Sequence, residues 1–234
     1  MDNLKAEIIE IFSSIQGEGI FIGARQIFVR FKECNLSCLF CDEDLNAGSE
    51  AYSHADLLGQ IKFLELSKGP HHSVSLTGGE PLLYAGFLKR LLPMLRNEGL
   101  KSYLETNGTL PGELGEVIDF VDVIAMDIKL PSSTGDKAFW DEHILFIKKA
   151  VGKKVFIKVV VTSGTTLKDM ERAVCIVKDI NPDIPFIIQP ASLTGKGGEK
   201  IKADALMKFM ELAAKNNLKN VRVIPQIHKI INVK

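Results

Sequence analysis

Hydrophobic and polar positions follow two periods along this chain. From residue 26 onward, short runs rich in β-branched and aromatic residues alternate with longer stretches whose apolar positions recur every three to four residues. The short runs predict strands over 26–32, 73–79, 102–108, 121–131, 155–162, 185–191 and 221–227. The longer ones predict helices over 53–66, 85–99, 113–120, 140–151, 167–180 and 203–217. Ser53 or Asp56 starts the first helix and Gly99 closes the second, in which Pro93 predicts a kink or a break. The run VFIKVVVT at 155–162 is almost continuously apolar, as a strand covered on both faces would be.

Strand and helix taking turns imply a parallel sheet with right-handed crossovers. A closed barrel of eight such units typically needs about 250 residues. Six or seven strands in 234 residues therefore predict an α/β fold with an incomplete, TIM-like barrel of parallel strands and outer helices. No Pro-, Gly- or Ser-rich linker divides the chain, so one domain is expected over 1–234. The polar signals LTGGEP, ETNG, MDIK and IIQP fall at the C-terminal ends of strands, where loops of parallel α/β folds build active sites.

Composition narrows the partner. Basic and acidic residues balance at 29 each, leaving no footprint for a nucleic-acid backbone or an anionic membrane and favouring a small molecule. The N-terminal segment lacks the pattern of a signal peptide, and no apolar run approaches the roughly 18 residues of a spanning helix, so a cytoplasmic protein is expected. Three of the four cysteines crowd into ECNLSCLFCDED as C-x₃-C-x₂-C: Cys34, Cys38 and Cys41. Cys175 lies far off in a helix of apolar period and reads as a buried thiol. Three thiolates on a short loop suit a [4Fe–4S] cluster with one iron left for an exogenous ligand such as S-adenosylmethionine. A closed zinc site is the alternative, but the nearest histidine, His54, breaks the usual ligand spacing. Phe40, just before the last cysteine, is placed to shield a cluster and stack near an adenine.

Cys34, Cys38, Phe40 and Cys41 match the C-x₃-C-x-aromatic-C hallmark of radical S-adenosylmethionine enzymes, and Gly78-Gly79-Glu80-Pro81 matches their GGEP motif. With FSSIQGEG (12–19), LETNGT (104–109), MDIKLPSS (126–133), IIQP (187–190) and VRVIPQIHK (221–229), the chain resembles the 7-carboxy-7-deazaguanine synthases. The resemblance implies an incomplete barrel and conversion of 6-carboxy-5,6,7,8-tetrahydropterin to 7-carboxy-7-deazaguanine with loss of ammonia. It assigns Gly79, Glu80, Glu105 and Asn107 to S-adenosylmethionine, and Gln16, Glu18, Arg30, Thr77 and His228 to the pterin. Strand-end position adds Gln189 on the cofactor side, with Asp127 and Lys129 as lesser candidates that suit a structural ion pair equally well. Taken singly, these residues also suit a glycine turn, a strand-face ion pair or a chain-end cap. The resemblance further implies a homodimer, a flavodoxin-type electron donor, and a magnesium ion beside a threonine two positions after the last cysteine. Here that position is Glu43, and a carboxylate is a harder ligand than a hydroxyl. Two other functions stay open at this point: activation of a glycyl-radical enzyme, and a non-catalytic cluster or zinc module.

Overall fold

The computed structural model describes residues 4–192 and 200–234. Its strands are β1 (Ala6–Ile15), β2 (Arg25–Phe31), β3 (Glu50–Tyr52), β4 (Ser73–Gly78), β5 (Ser102–Thr106), β6 (Val123–Asp127), β7 (Lys154–Val161), β8 (Phe186–Pro190) and β9 (Val221–Val223). They form one sheet in the order β3-β1-β2-β4-β5-β6-β7-β8-β9. From β2 to β9 every neighbouring pair is parallel, so all seven expected strands are present and sequential. The edges β3 and β9 do not pair, and the barrel stays open.

The helices are α1 (His54–Lys68), α2 (Ala85–Asn97), α3 (Pro111–Val117), α4 (Pro131–Thr134), α5 (Trp140–Ala150), α6 (Leu167–Ile180), α7 (Ala203–Lys215) and α8 (Ile227–Ile230). Ser53 caps α1 by accepting from the Asp56 N–H, and Thr166 caps α6 by accepting from the Asp169 N–H. Of the kink or break expected at Pro93, the break does not occur: α2 is a single helix through that residue. Its leucines at 88, 91, 92 and 95 are all buried, and that tertiary packing outweighs one missing backbone donor.

Two strands were not anticipated. β1 runs antiparallel to β2, with Phe12 opposite Phe28, and β3 adds antiparallel to the start of β1. Only Ala6 and Ile8 of β1 are fully buried, which is why its sequence gives a weak strand signal. β6 ends at Asp127, four residues early, because Pro131 opens α4. β9 is likewise short: Pro225 has no N–H to continue the ladder, and the chain turns into α8.

The period of two along the strands sorts side chains onto two faces. Val74, Leu76, Leu104, Ile124, Val155, Ile157 and Ile188 join the core shared with the helices. The intervening residues point into the barrel. Low in the barrel that inner face is apolar: Tyr103, Val123, Ala125, Phe156 and Ile187 cluster, plugged by Ile20 and Phe21. Toward the C-terminal ends the same alternation delivers Thr77, Glu105, Asp127, Lys158 and Gln189, all lining one cavity of about 160 Å³.

Candidate active site

The glycine pair after β4 fixes where the cysteine loop begins. Gly78 has φ of +105°, and a Cβ there would lie 2.3 Å from the Phe31 carbonyl oxygen. A Cβ on Gly79 would lie 2.0 Å from the Glu33 carbonyl oxygen. Without side chains the two segments close: Gly79 N–H donates to Phe31 at 2.9 Å, and Glu80 N–H donates to Glu33 at 2.7 Å. The end of β4 thus clamps the chain immediately before Cys34.

Glu80 itself stands behind the cavity wall. It is fully buried and accepts from Leu82 N–H (3.0 Å), the Thr106 hydroxyl (2.9 Å) and Asn107 N–H (2.7 Å). Burial pushes its pKa up to about 7, opposed by those hydrogen bonds. Its carboxylate ties the GGEP turn to the end of β5 instead of meeting the cavity. Asn107 does line the cavity; it donates to Asn35 at 2.8 Å and accepts from Thr109, whose hydroxyl accepts from Asn35 at 2.9 Å. This small ring fastens the cysteine loop to β5.

Cys34, Cys38 and Cys41 all line the cavity with Phe40, Gly79, Glu105, Asn107 and Gln189. Among the described residues no three His, Cys, Asp or Glu side chains converge as for one metal ion. All three thiols face this one cavity, and thiolates are the protein ligands an iron–sulfur cluster uses. Burial pushes the Cys38 thiol up to about 11, and Cys34 moves the same way, so metal binding here must expel protons. Lys129 sits 5.3 Å from the centre of the Phe40 ring and 2.9 Å from Asp127, a cation beside the loop.

A line of charge, buried at Asp127 and half-buried at the other three, crosses the cavity floor: Lys129, Asp127, Lys158, Glu18. Lys158 Nζ pairs closely with Glu18 and lies 3.8 Å from Asp127. Burial opposes the charge on Lys158, but Glu18 and Asp127 outweigh it and hold the ammonium protonated. Burial also opposes ionisation of Glu18, yet Lys158 and hydrogen bonds from Gln226 and Gln189 keep its pKa low. Two acceptor atoms beside this line, Asp127 Oδ1 and Gln189 Oε1, are buried without a partner among the described residues. Such atoms are costly unless a ligand satisfies them.

Next to the first cavity lies a second, lined by Gln16, Glu18, Arg30, Thr77, Glu105 and His228 among others. Thr77, Glu18 and Glu105 face both. Gln16 is buried and its amide is spent, donating to Gln26 (2.9 Å) and Glu105 (3.0 Å) while accepting from Glu18 N–H (3.0 Å). It braces Glu105, which also accepts from Ser75 at 2.8 Å. Arg30 donates to Glu10 at 2.9 Å and pairs with Glu43. His228 rests on Gly17, where a Cβ would lie 1.9 Å from its Nδ1, and Ile227 N–H donates to the Gly17 carbonyl at 2.9 Å.

The structure thus gathers every expected site residue except Glu80 around two adjoining cavities. It adds five that pattern reading missed: Asn35, Asp42, Lys158, Gln226 and Lys229. Lys158 had a signal, being the single charge inside an apolar strand covered on both faces. Gln226 and Lys229 meet Asp42 across more than 180 residues, with Gln226 donating at 3.1 Å, and no local pattern reports that. Cys175 lies apart on α6 and is half-buried, not the buried thiol its helical period predicts, because it falls beside the buried stripe of Ala173, Val174, Ile176 and Val177.

Comparison with known proteins agrees with this geometry. Residues 28–174 match the Radical SAM superfamily. A protein of Geobacter sulfurreducens named 7-carboxy-7-deazaguanine synthase is 40% identical, covering 97% of each chain. One of that name from Methanopyrus kandleri is 32% identical over 96% of this chain and 93% of its own. Among solved structures, QueE from Escherichia coli superposes with a TM-score of 0.65 at 21% identity, over 96% of this chain and 95% of that one. A radical SAM methyltransferase from Sphaerobacter thermophilus reaches 0.64 at 14% identity, over 86% and 66%, and shows the fold alone. With its thiol wall, its glycine clamp and relatives matched end to end, the chain belongs to the 7-carboxy-7-deazaguanine synthases of the radical S-adenosylmethionine superfamily.

Proposed function

We propose that this chain converts 6-carboxy-5,6,7,8-tetrahydropterin to 7-carboxy-7-deazaguanine with loss of ammonia, in the pathway to queuosine-type deazapurines. The observation that carries the reading is the pair of adjoining cavities meeting at Thr77, Glu18 and Glu105. One is walled by thiols and the other by groups matched to a bicyclic amide and its carboxylate. When bound, a [4Fe–4S] cluster on Cys34, Cys38 and Cys41 and S-adenosylmethionine supply one-electron cleavage and hydrogen abstraction at C6 of the pterin.

The chain's own residues bind, orient and exclude. Asn107, Gly79 and the unpartnered Gln189 Oε1 sit on the cofactor side, with Phe40 as an apolar cover. Glu105, held rigid by Gln16 and Ser75, presents a carboxylate where the two ligands meet, suited to ribose hydroxyls or to pterin N–H groups. Lys158 and Lys129 hold their protons and together balance Glu18 and Asp127, so this line of four offers fixed dipoles without net charge. Arg30 supplies the guanidinium for the substrate carboxylate. No helix among the described residues is long and apolar enough to cross a membrane, which accords with a cytoplasmic setting. The family membership supports a homodimer reduced by a flavodoxin-type donor.

The test is an anaerobic assay of reconstituted protein with S-adenosylmethionine, a reductant and 6-carboxytetrahydropterin, read by absorbance and mass for the deazaguanine. Deoxyadenosine released without the deazaguanine would retain the radical chemistry and overturn the substrate. Release driven by a polypeptide and not by the pterin would point instead to activation of a partner enzyme.

A further inference from the structure

Arg30 already holds two carboxylates. Its Nε donates to Glu10 at 2.9 Å, a terminal nitrogen pairs with Glu43, and its guanidinium carbon lies 5.6 Å from the centre of the Phe12 ring. Most other carboxylates around the second cavity are committed to cations as well. Glu18 is held by Lys158 and Gln226, Asp42 by Lys229 and Gln226, and Glu10 is shared with Lys234. Glu105 accepts from Gln16 and Ser75.

Magnesium demands near-octahedral oxygen ligands and is usually held through one or two carboxylates with several waters. An ion at Glu43 would have to strip Arg30 away, and a second carboxylate ligand would come from a lysine pair. The magnesium implied at this position does not fit the donor set of this chain.

The same contacts offer a different solution. A substrate carboxylate arriving at Arg30 would be the third on one guanidinium, and like charges crowded there repel. Glu43 is the one able to leave: it sits in the irregular segment between Cys41 and β3, where no strand ladder fixes its backbone. Glu10, by contrast, is anchored on β1 and shared with Lys234. We propose that Glu43 is an internal counter-ion, displaced from Arg30 by the substrate carboxylate, and that this chain binds and converts its carboxylated substrate without magnesium. The inference rests on the pterin reading above.

The experiment uses the reconstituted holoenzyme in metal-scrubbed anaerobic buffer. The probe is 6-carboxypterin, an oxidised and fluorescent analogue that cannot turn over, titrated with and without magnesium chloride. Wild type should bind it equally in both. The Glu43→Gln variant, checked for full iron content, should bind it about fivefold to tenfold more tightly, the scale of one partly buried ion pair. Turnover of 6-carboxytetrahydropterin by wild type should be unchanged by magnesium. Tenfold tighter binding with magnesium in wild type, lost in Glu43→Gln, would make Glu43 a metal ligand and overturn the inference alone. Absence of carboxypterin binding at any magnesium concentration, with no deazaguanine formed, would overturn the substrate reading and this inference with it.

Discussion

Glu80 is the place where the fold and the pH meet most directly. Its pKa rises from 4.5 to about 7 because burial disfavours the ionised form more than three hydrogen bonds favour it. Below 4.5 both folded and unfolded chains carry the proton, and this group imposes no penalty. Between 4.5 and 7 the unfolded chain ionises while the folded one does not, so stability falls as pH rises. Above 7 both are ionised and the loss is complete. At about 1.4 kcal/mol per pH unit, the gap amounts to roughly 3 kcal/mol.

Glutamine copies the protonated carboxyl in shape and charge. The stability of Glu80→Gln relative to wild type should therefore rise by roughly 3 kcal/mol from pH 4.5 to pH 8, because the variant has nothing to ionise, on top of a constant loss from the acceptor withdrawn from Asn107 N–H. The assay is urea unfolding of the metal-free, reduced chain across that pH range, where unfolding is not coupled to cluster loss. A difference that stays flat with pH would refute the argument. The same change withdraws an acceptor from Asn107 N–H, now at 2.7 Å, and loosens a residue on the cavity wall. The holoenzyme variant should accordingly bind S-adenosylmethionine more weakly while its stability gains on wild type as pH rises, a separation that simple misfolding cannot produce.

Three further outcomes follow from the same geometry. Alanine at Cys34, Cys38 or Cys41 should abolish iron and sulfide incorporation and the cluster absorbance, whereas Cys175→Ser on α6 should retain both. Lys158→Met leaves Glu18 and Asp127 buried without their shared cation and should cost about 3–5 kcal/mol in urea unfolding, with Glu18→Gln in the same chain recovering part of it; a loss below about 1 kcal/mol would mean water replaces the ammonium there. Gly17→Ala drives a methyl into His228, 1.9 Å from Nδ1, and should raise KM for the pterin while S-adenosylmethionine cleavage without substrate continues, as kinetics of both products would show.

How much of this was legible in sequence follows from the range over which each feature is determined. The seven parallel strands and their helices come from periods confined to a dozen residues, and all were legible. β1 was not, because an outer strand with only two fully buried residues carries little alternation, and its FSSIQ segment reads more plainly as a motif than as a ladder. The motif residues were legible as a set, but not their directions. GGEP places Glu80 beside the site, yet the backbone clamp at Gly78 and Gly79 turns its side chain behind the wall toward Thr106.

The charged floor is the most instructive case. Glu105, Asp127, Lys158 and Gln189 come from four strands; three of them alone resemble ordinary strand-end polar residues, and Lys158 is a lone charge inside an apolar strand. What joins them is the register of a parallel sheet: Glu105 faces Ala125, Asp127 faces Lys158, and Val160 faces Gln189. Given that register, a period of two counted upward from the apolar plug at Tyr103, Val123, Phe156 and Ile187 lands on all four. A plug residue and a site residue are thus two positions apart on each of these strands or, on β6, four. The low apolar layer of the barrel and the polar layer above it belong to one alternating pattern. A slip of one residue in any of these strands would empty the site and bury its charges among the outer helices.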